Sequence, residues 1–305
     1  MKGKGSANMS MFKGVANGLA SSISFGLIPL FTLPVLAGGM SMDSLICYRF
    51  SLAALFIAIL MIIRKESFKV SKSDIPLLVL VAIFYDISSM FLLWAYDFLG
   101  SGLATILHFT YPILTTIIMM AFFKEKASFM KILAILMAVA GVVLLSIQKG
   151  GGDISIAGVA VAVFSGLGYA SYMVSINVSA KLQKLKGLKL TFYVFLIGDL
   201  FLIINSYAFG TGIEPINSGY DILNLLLLAF VCTILSNQTL IVSIKNIGSV
   251  RASVLGAMEP VTAVVVGLLV FNESLTWKSA LGMLVILAAV VIIIMGGRRK
   301  EKIGV

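Results

Sequence analysis

The segment GSGLATILHFTYPILTTIIMMAFFKE, residues 100–125, returns 148 positions later as GSVRASVLGAMEPVTAVVVGLLVFNE, residues 248–273. Gly100, Ser101, Ala104, Leu107, Pro112, Phe123 and Glu125 fall on identical residues at Gly248, Ser249, Ala252, Leu255, Pro260, Phe271 and Glu273. Shared Leu or Val between two apolar segments means little, but a Gly-Ser pair, a Pro and a Glu at fixed spacing mark a duplicated unit. The match runs on to Ile147 and Met295 through Ala140 on Ala288 and Val142-Val143 on Val290-Val291. At slightly different offsets Gly14-Val15-Ala16 overlies Gly158-Val159-Ala160, and Tyr48 with Phe50 overlies Tyr193 with Phe195. The chain therefore reads as two copies, residues 1–148 and 149–305, forming one membrane domain together.

Of the 305 residues 60% are apolar and 12% charged, and the mean hydropathy is +1.08. A soluble domain averages about 45–50% apolar and about 25% charged residues, so an ordinary soluble enzyme, a disordered chain and a collagen-like rod are excluded. About 20 apolar residues cross a bilayer core as a helix. Ten such runs are present: Phe12 to Leu33, Met42 to Ile63, Ile75 to Tyr96, Ser101 to Phe123, Phe129 to Ile147, Ile154 to Ile176, Leu190 to Phe209, Ile222 to Ser243, Val250 to Phe271 and Trp277 to Met295. Pro29 and Pro34 are expected to close the first, and Gly100, Gly102 and Gly248 to mark breaks before the fourth and ninth. The first run is expected to be retained, since no small-residue cleavage site follows it. Five spans per copy is odd, so the second copy must enter the membrane from the opposite side. The predicted fold is an all-α integral membrane protein of ten transmembrane helices arranged as two inverted five-helix repeats.

Basic residues give an independent reading of orientation, because they collect on the cytoplasmic side. Of 23, the segments near 2–13, 64–72, 124–131, 181–189, 245–251 and 298–302 hold 20, the opposite loops hold only Lys149 and Lys278, and Arg49 stands inside a span. The opposite loops carry Asp43, Asp97, Asp153, Glu214, Asp221 and Glu273, with Trp94 and Trp277 at span ends. Both termini are thus expected to be cytoplasmic, in a multi-pass protein of a bacterial cytoplasmic membrane. The net charge of +10 is a topology signal and not a nucleic-acid footprint. Cys47 and Cys232 sit in apolar runs and suggest neither a disulfide framework nor a metal site.

With Pro112 in mid-span, Glu125 at its end and Gly141 beyond, and the same pattern repeated at Pro260, Glu273 and Gly282, the chain resembles the EamA family of the drug/metabolite transporter superfamily. Arg49 in the second span also fits. The resemblance covers nearly the whole chain. It implies ten helices, both termini inside, and secondary transport, commonly export, of small metabolites.

A charge at the centre of a membrane helix costs on the order of 2.5–3.5 kcal/mol, so ionisable groups within spans are candidate functional groups. They are Arg49, Asp86, His108, Asp199 and Glu259. Glu259 precedes Pro260, whose missing N–H frees a carbonyl one turn earlier, so it is a candidate for binding a cation or a proton; the alternative is pairing with a nearby Ser or Tyr. His108, the sole histidine, could relay protons or merely be hydrogen-bonded. Asp86 or Asp199 could balance Arg49 in a structural ion pair, and Arg49 could bind a carboxylate or anchor the outer interface. Tyr169 and Tyr172 share a helical face. Asn237 and Gln238 are adjacent, so only one is expected to reach a cavity. Pro112 and Pro260 are the expected helix breaks. Ser21, Ser24, Gly26, Ser165, Gly166 and Gly168 read mainly as close packing.

There is no GxxxxGK[ST] loop, no HExxH and no nucleophile with a plausible base, so neither ATP-driven transport nor an enzyme is expected. The functional expectation is a secondary transporter of small organic metabolites working by alternating access. It would export amino acids or related compounds through a midplane polar site formed between the copies by Glu259, aided by His108 and Asp86, and the carboxylates and His108 would allow proton coupling. No cofactor and no metal are called for. Its partners would be the metabolite and the lipid bilayer, with no nucleic acid and with a homodimer allowed. A passive pore or facilitator and a non-transporting interaction protein remain as alternatives.

Overall fold

In the computed structural model, residues 2–126, 128–146, 155–209, 212–216, 218–271 and 276–303 are described. They form α1 (Lys2–Gly26), α2 (Ile28–Ala37), α3 (Met42–Ile63), α4 (Ile75–His108), α5 (Tyr111–Phe123), α6 (Phe129–Ser146) and α7 (Ile156–Val178). The second half gives α8 (Ala180–Lys184), α9 (Gly187–Phe209), α10 (Gly219–Leu227), a π-helical segment (Leu228–Leu235), α11 (Ser236–Ile247), α12 (Ser249–Leu255), α13 (Met258–Val270) and α14 (Trp277–Ile303). No strand occurs among the described residues. Lys149, Asp153, Asn272 and Glu273 lie outside them. Eight helical segments are long and apolar enough to cross a membrane, and Tyr111–Phe123 and Phe129–Leu144 are shorter apolar helices. Starts are set by local chemistry: Ser41, Ser155, Ser179 and Ser218 each accept a hydrogen bond from the backbone N–H three residues on.

Three expectations about the helices need correction. Pro34 does not close the first run; α2 continues to Ala37, and the chain is instead interrupted at Leu27, where Pro29 falls in the first turn of α2 and needs no N–H partner. The eighth run is not a regular helix, because it contains the π segment. Finally, helical structure is not interrupted at Gly100 or Gly102 but runs through to His108.

That run nevertheless folds back. Ser165 on α7 donates to Ser88 O at 2.5 Å and bonds His108 Nδ1 at 2.8 Å. In a straight helix Ser88 and His108 would stand roughly 30 Å apart, so one serine could not reach both. Along α7, Gly168 meets Phe84 and Ser88, Gly158 meets Phe98 and Leu99, and Gly166 meets His108. The chain thus descends one side of α7 and returns along it. The second copy makes the same reversal at Gly248 alone, with φ +82, a conformation only glycine adopts freely.

Corresponding parts of the two copies meet in reciprocal contacts. Tyr48 near the start of α3 donates to Glu214 O beyond the end of α9 at 2.6 Å. Tyr193 near the start of α9 donates to Phe68 O beyond the end of α3 at 2.5 Å. The start of each helix meets the end of the other, so α3 and α9 run antiparallel. Between them Phe50 packs on Phe195 with ring centroids 5.1 Å apart. Gly14 likewise lies against Ile247 as Gly158 lies against Leu99. Two further segments reinforce these ties: Glu214 accepts from Ser41 N at 2.6 Å, while Lys189 and Lys181 donate to Lys69 O and Ser73 O at 3.0 Å each.

One tyrosyl hydrogen bond is worth about 1 kcal/mol, or about fivefold in an equilibrium. In a Cys232→Ser background, Tyr48→Phe should speed alkylation of Cys47, which lines a cleft on the Glu214 side, by about fivefold. Tyr193→Phe, at the other end of the molecule, should not. Equal acceleration by both would mean that the tethers do not act face by face.

Candidate functional site

The overlay that aligns the copies places Tyr111-Pro112 on Glu259-Pro260, and the helices break at these matching places. One interruption is Phe109–Thr110 between α4 and α5; the other is Gly256–Ala257 between α12 and α13. Proline disfavours helix in the residue before it and supplies no N–H, so each proline falls in the first turn of the new helix. Glu259 stands in the first turn of α13, where the exposed N–H groups favour a carboxylate. The two breaks interlock. A Cβ on Gly256 would strike Tyr111 Oη, and one on Gly26 of α1 would strike Glu259 O and Thr262.

Around this junction aromatic rings form a continuous wall. Tyr111 meets Tyr169 edge to face at 4.8 Å, His108 lies 5.6 and 5.8 Å from Tyr111 and Tyr169, and Tyr172 joins Tyr169 at 6.4 Å and Tyr85 at 5.1 Å. The hydroxyl of Ser165 has one hydrogen, which goes to Ser88 O, so His108 Nδ1 is the donor in their 2.8 Å bond. In the neutral ring Nε2 is then the acceptor.

Arg49 reaches the site from α3. Its Nε donates to Thr233 Oγ1 at 2.6 Å and its terminal nitrogen to Cys232 O at 3.4 Å. Both partners belong to the π segment, whose widened turn is held by Thr233 Oγ1 donating to Leu228 O at 3.0 Å. Arg49 and Glu259 act on each other through space but form no ion pair, and the Glu259 carboxylate makes no hydrogen bond among the described residues. The field of Glu259 also reaches Tyr85, Tyr111 and Tyr169. Arg49, His108, Tyr169 and Glu259 are only half-buried, although helices from both halves surround them.

The remaining candidates separate. Asn237 Oδ1 accepts from Tyr172 at 2.8 Å while its Nδ2 has no partner, which puts it at the wall of the site. Gln238 turns the other way, donating to Thr191 at 2.7 Å beside Gly187. The suggestion that Asp86 or Asp199 balances Arg49 is corrected. Asp86 packs against Gly198 of α9, and Asp199 accepts from Ser51 at 2.5 Å, whereas Arg49, two residues before Ser51, faces the π segment. Residues two apart on a helix do not share a face.

Sequence reasoning overlooked Tyr85, Tyr111, Thr233 and the role of Ser165. For Tyr111 the signal was present: it is the residue that overlies Glu259. Nothing in the pattern marked the π segment, because its residues Leu228–Leu235 are uniformly apolar apart from Thr233.

Helices of two equivalent halves that enclose paired breaks and buried charge define a multi-pass membrane protein built from a duplicated bundle. A model of the EamA-like transporter family matches it twice, over residues 12–147 and 156–295. The chain belongs to that family, within the drug/metabolite transporter superfamily. A solved crystal structure, described only as that of a protein, superposes with a TM-score of 0.82 at 15% identity, covering 94% of this chain and 98% of its own. That likeness is one of fold. No functionally curated protein matches the sequence significantly.

Proposed function

We propose that the protein is a secondary transporter that exports amino acids or related small metabolites from the bacterial cytoplasm by alternating access, with coupling to protons. The reading takes the membrane as crossed ten times, the doubled-back run Ile75–His108 and α5 supplying two crossings, with inverted halves and both termini cytoplasmic. The observation that carries it is the placement of Arg49 and Glu259: opposite charges from the two halves, each partly exposed, that act on each other through space yet form no ion pair. An α-amino acid carries the complementary pair, a carboxylate for the guanidinium and an ammonium for the carboxylate. The tyrosine wall and Asn237 supply the apolar surface and the few placed polar groups of a small-molecule site.

Glu259→Gln keeps the shape and removes the charge. Losing a charge-assisted contact of about 1.5–3 kcal/mol should lower amino-acid counterflow in proteoliposomes at least about tenfold, with the protein still folded. Wild-type flux and wild-type pH dependence in this variant would remove Glu259 from the mechanism. Saturation and counterflow would set a carrier apart from a passive pore, and absence of any flux would favour an interaction protein.

A further inference from the structure

A second group of charges lies away from the Arg49–Glu259 centre. Asp86 on α4 is 4% exposed and both of its carboxylate oxygens lack a partner. Its neighbour Asp199 on α9 is 8% exposed; Oδ2 accepts from Ser51, and Oδ1 has no partner. Asp86 packs against α9 at Gly198, the residue before Asp199, since a Cβ there would strike the Asp86 carboxylate, and the two acids act on each other through space. Three buried carboxylate oxygens without donors are costly in a dry interior.

One helical turn beyond these acids lies a cleft. It is narrow, about 10 Å³, close to the room that one water needs, and is lined by Asp43, Cys47, Met90, Leu202, Asn205 and Ser206, among others. Cys47 lies one turn before Ser51, Met90 one turn after Asp86 and Leu202 one turn after Asp199. On all three helices a step of three or four residues keeps to one face, so the acids sit about 5 Å below the lining. Independently of the acids, Ser206 in that lining is 1% exposed and its hydroxyl has no partner. The cleft opens at the start of α3 and the end of α9, away from the lysine-rich segments 64–72 and 181–189.

We propose that Asp86 and Asp199 together bind a proton, loaded through this cleft and held apart from the substrate centre. This rests on the transport reading above and names its coupling site. A proton needs a single acceptor to settle the pair, whereas a metal cation takes a shell of about six oxygens, which the acids and Ser51 do not supply. Of the other charged or titratable groups on the elements around the pair, Cys47 is a free thiol in the cleft lining, and Lys245 of α11 is engaged with Gln183 O and Leu185 O. From α3 come Asp43 and Cys47, with Arg49 turned to the π segment; from α7, Tyr169 and Tyr172 face Tyr85 and Tyr111; α6 brings only Lys131, paired with Glu125. No Lys, Arg or His among the described residues is ion-paired to either acid.

Infrared difference spectra of the full chain in lipid, taken between acid and alkaline pH, read the carbonyl band of a protonated buried acid directly. The band should be present in the wild type, lost in Asp86→Asn and in Asp199→Asn, and kept in Glu259→Gln. Persistence of the band in both Asn variants, its loss in Glu259→Gln, or a response to sodium in place of pH would each overturn the proposal. Should the Asn variants not fold, Ser51→Ala removes the donor to Asp199 without touching a charge and should shift the band's titration; an unmoved titration would count against the site. A titrating band in a protein that moves no amino acid would leave the proton site standing and remove the transport reading. Flux without the band would do the reverse.

Discussion

Arg49→Ala should all but abolish transport. The guanidinium would contribute charge-assisted hydrogen bonds of about 1.5–3 kcal/mol to a substrate carboxylate, or about 10- to 150-fold in affinity. The same change removes the bonds to Thr233 Oγ1 and Cys232 O and takes away the cation whose field reaches Glu259. Together these put the expected loss of amino-acid flux in proteoliposomes at about 100-fold or more. Arg49→Lys is informative because it retains the charge but not the planar fork that addresses a hydroxyl and a carbonyl on adjacent residues. It should fall between wild type and Arg49→Ala. Wild-type flux in the alanine variant would reduce Arg49 to a prop for the π segment, a role that a lowered melting temperature alone would report.

The second large effect is expected at Gly256. An alanine there would drive its methyl into Tyr111 Oη and toward Ser253 O, 2.9 Å away. Overpacking of this kind costs about 1–3 kcal/mol, and here the strain falls on the junction between the two halves. Gly256→Ala should therefore lose most transport as well as stability. Tyr111→Phe in the same chain takes away the colliding oxygen, so the double variant should recover part of both, with a coupling of about 1 kcal/mol. Simple additivity in thermal shift and in flux would show that Tyr111 does not occupy the Gly256 socket.

How far the sequence announced these features depends on the kind of physics involved. Apolar runs, alternating lysines and the 148-residue repeat reflect bilayer thickness and duplication, which act over whole segments, so the helical membrane fold was legible from the string. The breaks at Pro112 and Pro260 were legible too, because proline imposes its constraint locally. The reversal near Gly100 was legible from the break expected there, but not that helical hydrogen bonding carries on through it to His108. The π segment was hidden for another reason: its cause lies in Thr233 and in Arg49, which is distant in sequence. Likewise the depth of Asp86 and Asp199 could be read, but not that Asp86 packs on α9 at Gly198, next to Asp199.

The mismatch at the helix breaks has a thermodynamic consequence. Tyr111 and Glu259 occupy equivalent stations in the two halves, yet one is neutral and the other acidic. In a carrier that alternates as proposed, identical halves would make the inward-facing and outward-facing arrangements equal in energy, and this pair is one difference that breaks the degeneracy. The empty carrier should rest mostly on one side, and its poise should drift with the voltage across the bilayer, since moving one elementary charge through 100 mV is worth about 2.3 kcal/mol.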